Sequence, residues 1–115
     1  MPQEYKVYLD DILESIEKIE SYTCDMSYEE FRKTPVVIDA VLRNLEIIGE
    51  AVKRLPSDMK RKYSRVEWKK IAGLRDILIH EYSGINLTIV WDIVINKIPE
   101  FKESIRQISS EIEIK

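Results

Sequence analysis

Cysteine and histidine are almost absent from this chain, whose 115 residues hold one of each, Cys24 and His80. A single cysteine closes no internal disulfide, and one histidine with one cysteine makes no zinc-type cluster at ligand spacing. No metal site and no cofactor are therefore expected. Glycine (three) and proline (four) are scarce as well, which argues against a loop-rich or disordered chain. The 44% apolar content, with abundant Ile, Leu, Glu and Lys, reads as helical. No apolar run approaches the roughly 20 residues that span a bilayer. The opening Met1-Pro2-Gln3-Glu4-Tyr5-Lys6 lacks the charged region and apolar core of a secretory signal. The expectation is a cytoplasmic protein with no membrane partner, folded as one domain over residues 1–115. Gly-rich phosphate loops, a Ser-His-Asp order and carboxylate metal boxes are also missing.

What is present is an uneven charge. The net charge is only −3, yet the segment from Lys53 to Arg75 has nine basic residues against Asp58 and Glu67, a local +7 on a background of −10. Such a segment suits a polyanion, with Lys60, Arg61, Lys62, Arg65, Lys69 and Lys70 as candidate RNA-binding residues. A solvated, lysine-rich connection between helices has the same composition.

Apolar periodicity divides the chain into helices. Tyr5, Tyr8, Leu9, Ile12, Ile16 and Ile19 recur at three- and four-residue steps over residues 5–22. Ser27 and Glu30 have the spacing of a capping box and predict a short helix. Thr34-Pro35 reads as an N-cap and first helical residue, opening a central helix through Leu55 with Val37, Ile38, Val41, Leu42, Leu45, Ile48 and Val52 on its apolar side. Pro56 ends it, the basic stretch to Arg65 forms a short helix or turn, and another helix starts near Val66 or Glu67. Trp68, Ile71, Leu74 and Leu78 form its expected core stripe. Ile77, Leu78 and Ile79 are apolar on three successive positions, about 200° of helix surface at 100° per residue, which points to a second buried side and an oligomer interface. Tyr82 to Asn86 supplies a turn. Leu87, Trp91, Val94, Ile98, Phe101, Ile105, Ile108 and Ile112 then form an a/d seam, with a kink expected near Lys97 because Pro99 interrupts it.

The chemistry-bearing residues concentrate in one run, Arg75-Asp76-Ile77-Leu78-Ile79-His80-Glu81-Tyr82. Asp76 and His80 are four apart and share a helix face, so the carboxylate can fix the imidazole tautomer. Arg75 and His80 are five apart, about 140° around an ideal helix. They converge on one atom only if the helix ends at His80 or if two copies meet across a twofold axis. This kit suffices for metal-independent RNA cleavage: a neutral imidazole takes the 2′-hydroxyl proton, an imidazolium serves the leaving 5′-oxygen, and a guanidinium stabilises the phosphorane. A structural hydrogen bond at a helix end is the commoner use of a lone histidine beside a carboxylate, and both readings stand on these residues alone.

At Arg75-x4-His80-x-Tyr82 the sequence resembles the HEPN superfamily, and within it the HepT-like toxins of prokaryotic toxin-antitoxin pairs. The likeness extends to Arg43-Asn44-Leu45-Glu46-Ile47-Ile48-Gly49-Glu50-Ala51, to Trp68 through Asp76, and to Val90-Trp91-Asp92-Ile93. It implies an all-α, antiparallel bundle of four to five main helices that dimerises with its motifs facing one cleft. It further implies a metal-independent endoribonuclease toxin acting on RNA such as tRNA or mRNA. Carried over by position, Arg75 and His80 are catalytic, with Asp76 in the polar position after the arginine. The implied partner is a nucleotidyltransferase antitoxin that places AMP on Tyr82, as in type VII-like pairs. The alternative within the superfamily is a non-catalytic helical subunit that holds nucleotide or substrate for a nucleotidyltransferase.

Overall fold

In the computed structural model residues 5–80 and 86–114 are described, apart from the side chains of residues 75–80, 113 and 114. These residues form helices and no strand. The elements are α1 (Lys6–Thr23), α2 (Tyr28–Arg32), α3 (Pro35–Arg54), α4 (Ser57–Lys62), α5 (Trp68–His80), α6 (Leu87–Asp92), a π-helical turn (Ile93–Lys97) and α7 (Ile98–Ile114).

The central helix is α3, packed between α1 and α5, while α7 lies along α1. Leu9, Ile12, Ile16 and Ile19 of α1 meet Val41, Leu45, Ile48 and Val52 of α3 and Ile105 of α7, all with no residual exposure. Full burial of each such side chain contributes roughly 1.5–3 kcal/mol. Neighbouring helices run antiparallel. Tyr8, early in α1, hydrogen-bonds Arg54 at the end of α3, and Lys102 of α7 pairs with Glu20 near the end of α1 at 2.8 Å.

Local chemistry explains the element ends. Ser27 and Glu30 make both capping-box bonds, Ser27 N donating to Glu30 Oε1 at 2.9 Å and Glu30 N to Ser27 Oγ at 3.1 Å. Thr34 does precede Pro35 at the start of α3, but its hydroxyl makes no cap there. It donates back to the Glu30 carbonyl at 2.6 Å, tying the end of α2 to the start of α3. Near the C-terminus of α3 the Val52 carbonyl accepts from Lys60 Nζ at 3.1 Å.

The kink expected near Lys97 takes the form of the π turn. Pro99 has no N–H to return to Ile95, and the ladder widens there so that Ile98 N donates to Ile93 O, five residues back. The extra residue shifts the helix phase. From the turn onward the seam is as expected, with Val94 in the turn and Ile98, Phe101, Ile105 and Ile108 of α7 buried. Before it Val90 takes the core position, and Trp91, half-buried, packs on Phe31 of α2 at 5.0 Å between ring centroids. On α5, Trp68 is buried, and Ile71 and Leu74 are half-buried, packed against the core while also lining a groove. Among the described residues no helix is long and apolar enough to cross a membrane.

Candidate functional site

α5 is the element that organises the site. Its helical backbone carries Arg75, Asp76 and His80, whose side chains lie outside the described residues. Tyr82 lies outside them altogether. The same holds for the Ile77, Leu78 and Ile79 side chains from which an interface was expected. The helix reaches His80 without a break, so Arg75 and His80 keep their helical spacing.

The approach to α5 is the basic segment, and its cations are not equivalent. Lys60 is committed to the α3 carbonyl of Val52. Arg61 pairs with Asp58 on the exposed side of α4, and the Lys62 ammonium sits 5.5 Å from the Tyr63 ring centroid. Arg65 donates to Gln107 of α7. Lys70 pairs with Glu67 at 3.0 Å, where both side chains are exposed, so the pair adds little stability. Lys69 is exposed and has no ion pair among the described residues. The connection itself is fastened to the bundle. Trp68 Nε1 donates to Tyr63 O at 3.1 Å, and the Tyr63 hydroxyl donates to Glu111 Oε1 at 2.7 Å. Burial first, and then the Glu111 carboxylate, push the Tyr63 phenol up to about 12.

Beside α5 lies a groove of about 720 Å³. Ile71 and Leu74 form one wall, Ile93 and Ile98 the other, and Ile48 of α3 the floor. Arg65, Glu67, Lys70, Lys97 and Glu100 stand on its rim. The Lys70 hydrogen bond, the Lys70 charge and the more distant Lys97 charge hold the Glu67 carboxyl below its ordinary range. Gly73 also lines the groove, and a Cβ built there meets nothing within 4 Å. Sequence reasoning missed Lys97 and Gly73 as neighbours of the basic segment. A glycine inside a strongly helical run, and a lysine two residues before Pro99, were the signals available.

A second cleft, of about 420 Å³, lies between α1 and α3 and is lined by Tyr8, Asp11, Arg43, Glu46, Glu50 and Arg54 among others. Hydrogen bonds to Tyr8 and Glu50 raise the Arg54 guanidinium above its ordinary value. The cleft is thus crossed by ties between the two helices.

Residues 12–108 match the family model for HepT-like proteins, described as Ribonuclease HepT-like. A Methanocaldococcus jannaschii protein named "Putative RNase MJ0127" is 50% identical over 114 residues, which cover 98% of this chain and 94% of that one. A Thermococcus cleftensis protein named "Probable ribonuclease HepT" is 42% identical over 102 residues, 89% of this chain and 93% of that one. No solved structure gives a significant match.

Proposed function

The chain belongs to the HepT-like ribonuclease family, and on that premise we propose that it is a metal-independent endoribonuclease whose site is shared by two copies. The observation that carries this reading is that the family match spans residues 12–108, a range that includes α5 and Arg75, Asp76, His80 and Tyr82. α5 runs from Trp68 to His80, so Arg75 and His80, about 140° apart by helical spacing, can meet where the helix ends. Two copies related by a twofold axis offer instead the arginine of one and the histidine of the other, and with them the second imidazole that the reaction uses.

In this mechanism a neutral His80 removes the 2′-hydroxyl proton of the ribose, with Asp76 holding the imidazole tautomer. The 2′-oxygen attacks the adjacent phosphorus, and Arg75 stabilises the charge that develops on the phosphorane oxygens. The second copy's His80, as imidazolium, gives its proton to the departing 5′-oxygen. The products are a 2′,3′-cyclic phosphate and a 5′-hydroxyl, and DNA, lacking the nucleophile, is not cut. The biological role in this reading is that of a toxin, held in check by a nucleotidyltransferase antitoxin that transfers AMP to the Tyr82 hydroxyl. The added bulk and negative charge exclude RNA phosphate from the site.

Expression of the chain should arrest growth, and His80→Ala and Arg75→Ala should each relieve the arrest while keeping helical circular dichroism and dimer mass. Toxicity that survives both substitutions rejects the catalytic assignment. Stable complex formation with a nucleotidyltransferase and no cleavage by the purified, unmodified chain would identify a binding subunit instead. Co-expression with the nucleotidyltransferase should add mass in multiples of AMP, mapping to Tyr82.

A further inference from the structure

The groove beside α5 has three properties that together specify a ligand. Its volume, about 720 Å³, lies in the range of sites that enclose a small organic group. Its walls are aliphatic, from Ile71 and Leu74 on α5 and Ile93 on the π turn, and Lys70 of α5 and Lys97 of the π turn line it as well. Anything entering it meets the Lys70–Glu67 pair and the Lys97 ammonium. An apolar helix docked there would strip water from the Lys70–Glu67 pair and from Lys97, whereas a phosphodiester offers the ammonium groups a charged acceptor.

Gly73 is the second observation. Glycine is the poorest helix-interior residue after proline, and crowding does not require it here, because a Cβ would meet nothing within 4 Å. Its effect is on the groove, since any larger residue at this position would put its side chain into the open space. Lys70 lies five residues before Arg75 on the same helix, about 7.5 Å along the axis, a span of about two stacked nucleotides at 3.4 Å each.

We propose that this groove is a nucleotide subsite of the RNA strand, taking one unpaired base between the aliphatic walls and its phosphate between Lys70 and Lys97. This rests on the ribonuclease reading above and adds to it a specificity site on the approach to the scissile bond. The rim carries Arg65, Lys70 and Lys97 against Glu67 and Glu100, so the phosphate competes with Glu67 for Lys70. Recognition is therefore of a single-stranded segment, whose base is free to leave the stack, rather than of a duplex.

The test uses a fluorescein-labelled, single-stranded 2′-O-methyl oligoribonucleotide, which lacks the nucleophile and is bound without being cut. Gly73→Leu should weaken its binding at least tenfold while dimer mass and circular dichroism are retained, and Gly73→Ala should weaken it less. Lys70→Ala and Lys97→Ala should each reduce the dependence of log Kd on log salt by about 0.7. Photocrosslinks from a 4-thiouridine version of the strand to the unaltered protein should fall in residues 65–74 and 93–104. Unchanged affinity in Gly73→Leu, or crosslinks confined elsewhere, overturns the subsite but leaves the ribonuclease reading intact if ordinary RNA is still cleaved. Loss of the dimer in Gly73→Leu overturns it by making the groove a protein interface. Absence of both binding and cleavage in the unaltered chain overturns both.

Discussion

The Tyr63 hydroxyl donates to Glu111 Oε1 at 2.7 Å, joining positions 48 residues apart. The bond fastens the basic connection between α4 and α5 to the far end of α7. Tyr63→Phe removes it without changing the ring. Loss of a hydrogen bond of this kind costs about 1 kcal/mol, and thermal denaturation should move down by about 4 °C.

The same residue sets a response to alkali. Folding raises the Tyr63 phenol from 10.0 to about 12, so the folded chain keeps the proton more tightly than the unfolded one. That contribution is fully present below pH 10 and is lost as pH rises toward 12. Denaturant titrations of the native chain should show stability falling across this window, and the fall should be shallower in Tyr63→Phe. Equal slopes would assign the alkaline loss to other groups.

Ser27→Ala should destabilise the protein by about 1 kcal/mol, the usual cost of an N-cap. Both bonds of the box are formed, and the short helix they hold carries the buried Phe31 against Trp91. Urea midpoints will show the loss, and a drop in tryptophan fluorescence polarisation should accompany it.

Leu45→Ala empties a fully buried position in the middle of α3 and should cost about 2–5 kcal/mol by equilibrium unfolding. An effect below 1 kcal/mol would mean that the α1–α3 contact closes over the cavity.

Two lysines of one basic segment should separate by assay. Lys60→Met removes the donor to Val52 O, so it should lower stability and leave the salt dependence of RNA binding unchanged. Exposed Lys69 has the opposite profile: Lys69→Ala should keep the melting temperature and reduce the salt slope by about 0.7.

Much of the fold was legible because periodicity reports burial directly. Leu9, Ile12, Ile16 and Ile19 on α1, and Val94 to Ile108 on the last helix, are buried where their spacing places them. Thr34 is the N-cap of α3 and Pro35 its first residue, as the sequence reads. The reading failed where the backbone left α-helical geometry. Val90 holds the core position that α-helical spacing gives to Trp91, because the π turn adds a residue. For the candidate site, the sequence supplied the motif residues of α5, since their types and intervals are themselves the signal. The groove was invisible, because Gly73 and Lys97 are 24 positions apart and only the packing of α5 beside the last helix brings them to one cavity.

The π turn also acts as a phase shifter. An α-helix advances 100° per residue, so one additional residue in a turn rotates everything before it relative to everything after it. The stretch after the turn addresses α1, while the stretch before it turns Trp91 toward α2. Deleting a single residue between Ile93 and Lys97 would bring the two stretches back into step. It would force the chain to choose between its aromatic contact with α2 and its aliphatic seam, so the reading frame of the last helix is itself a determinant of how the small helix α2 is held.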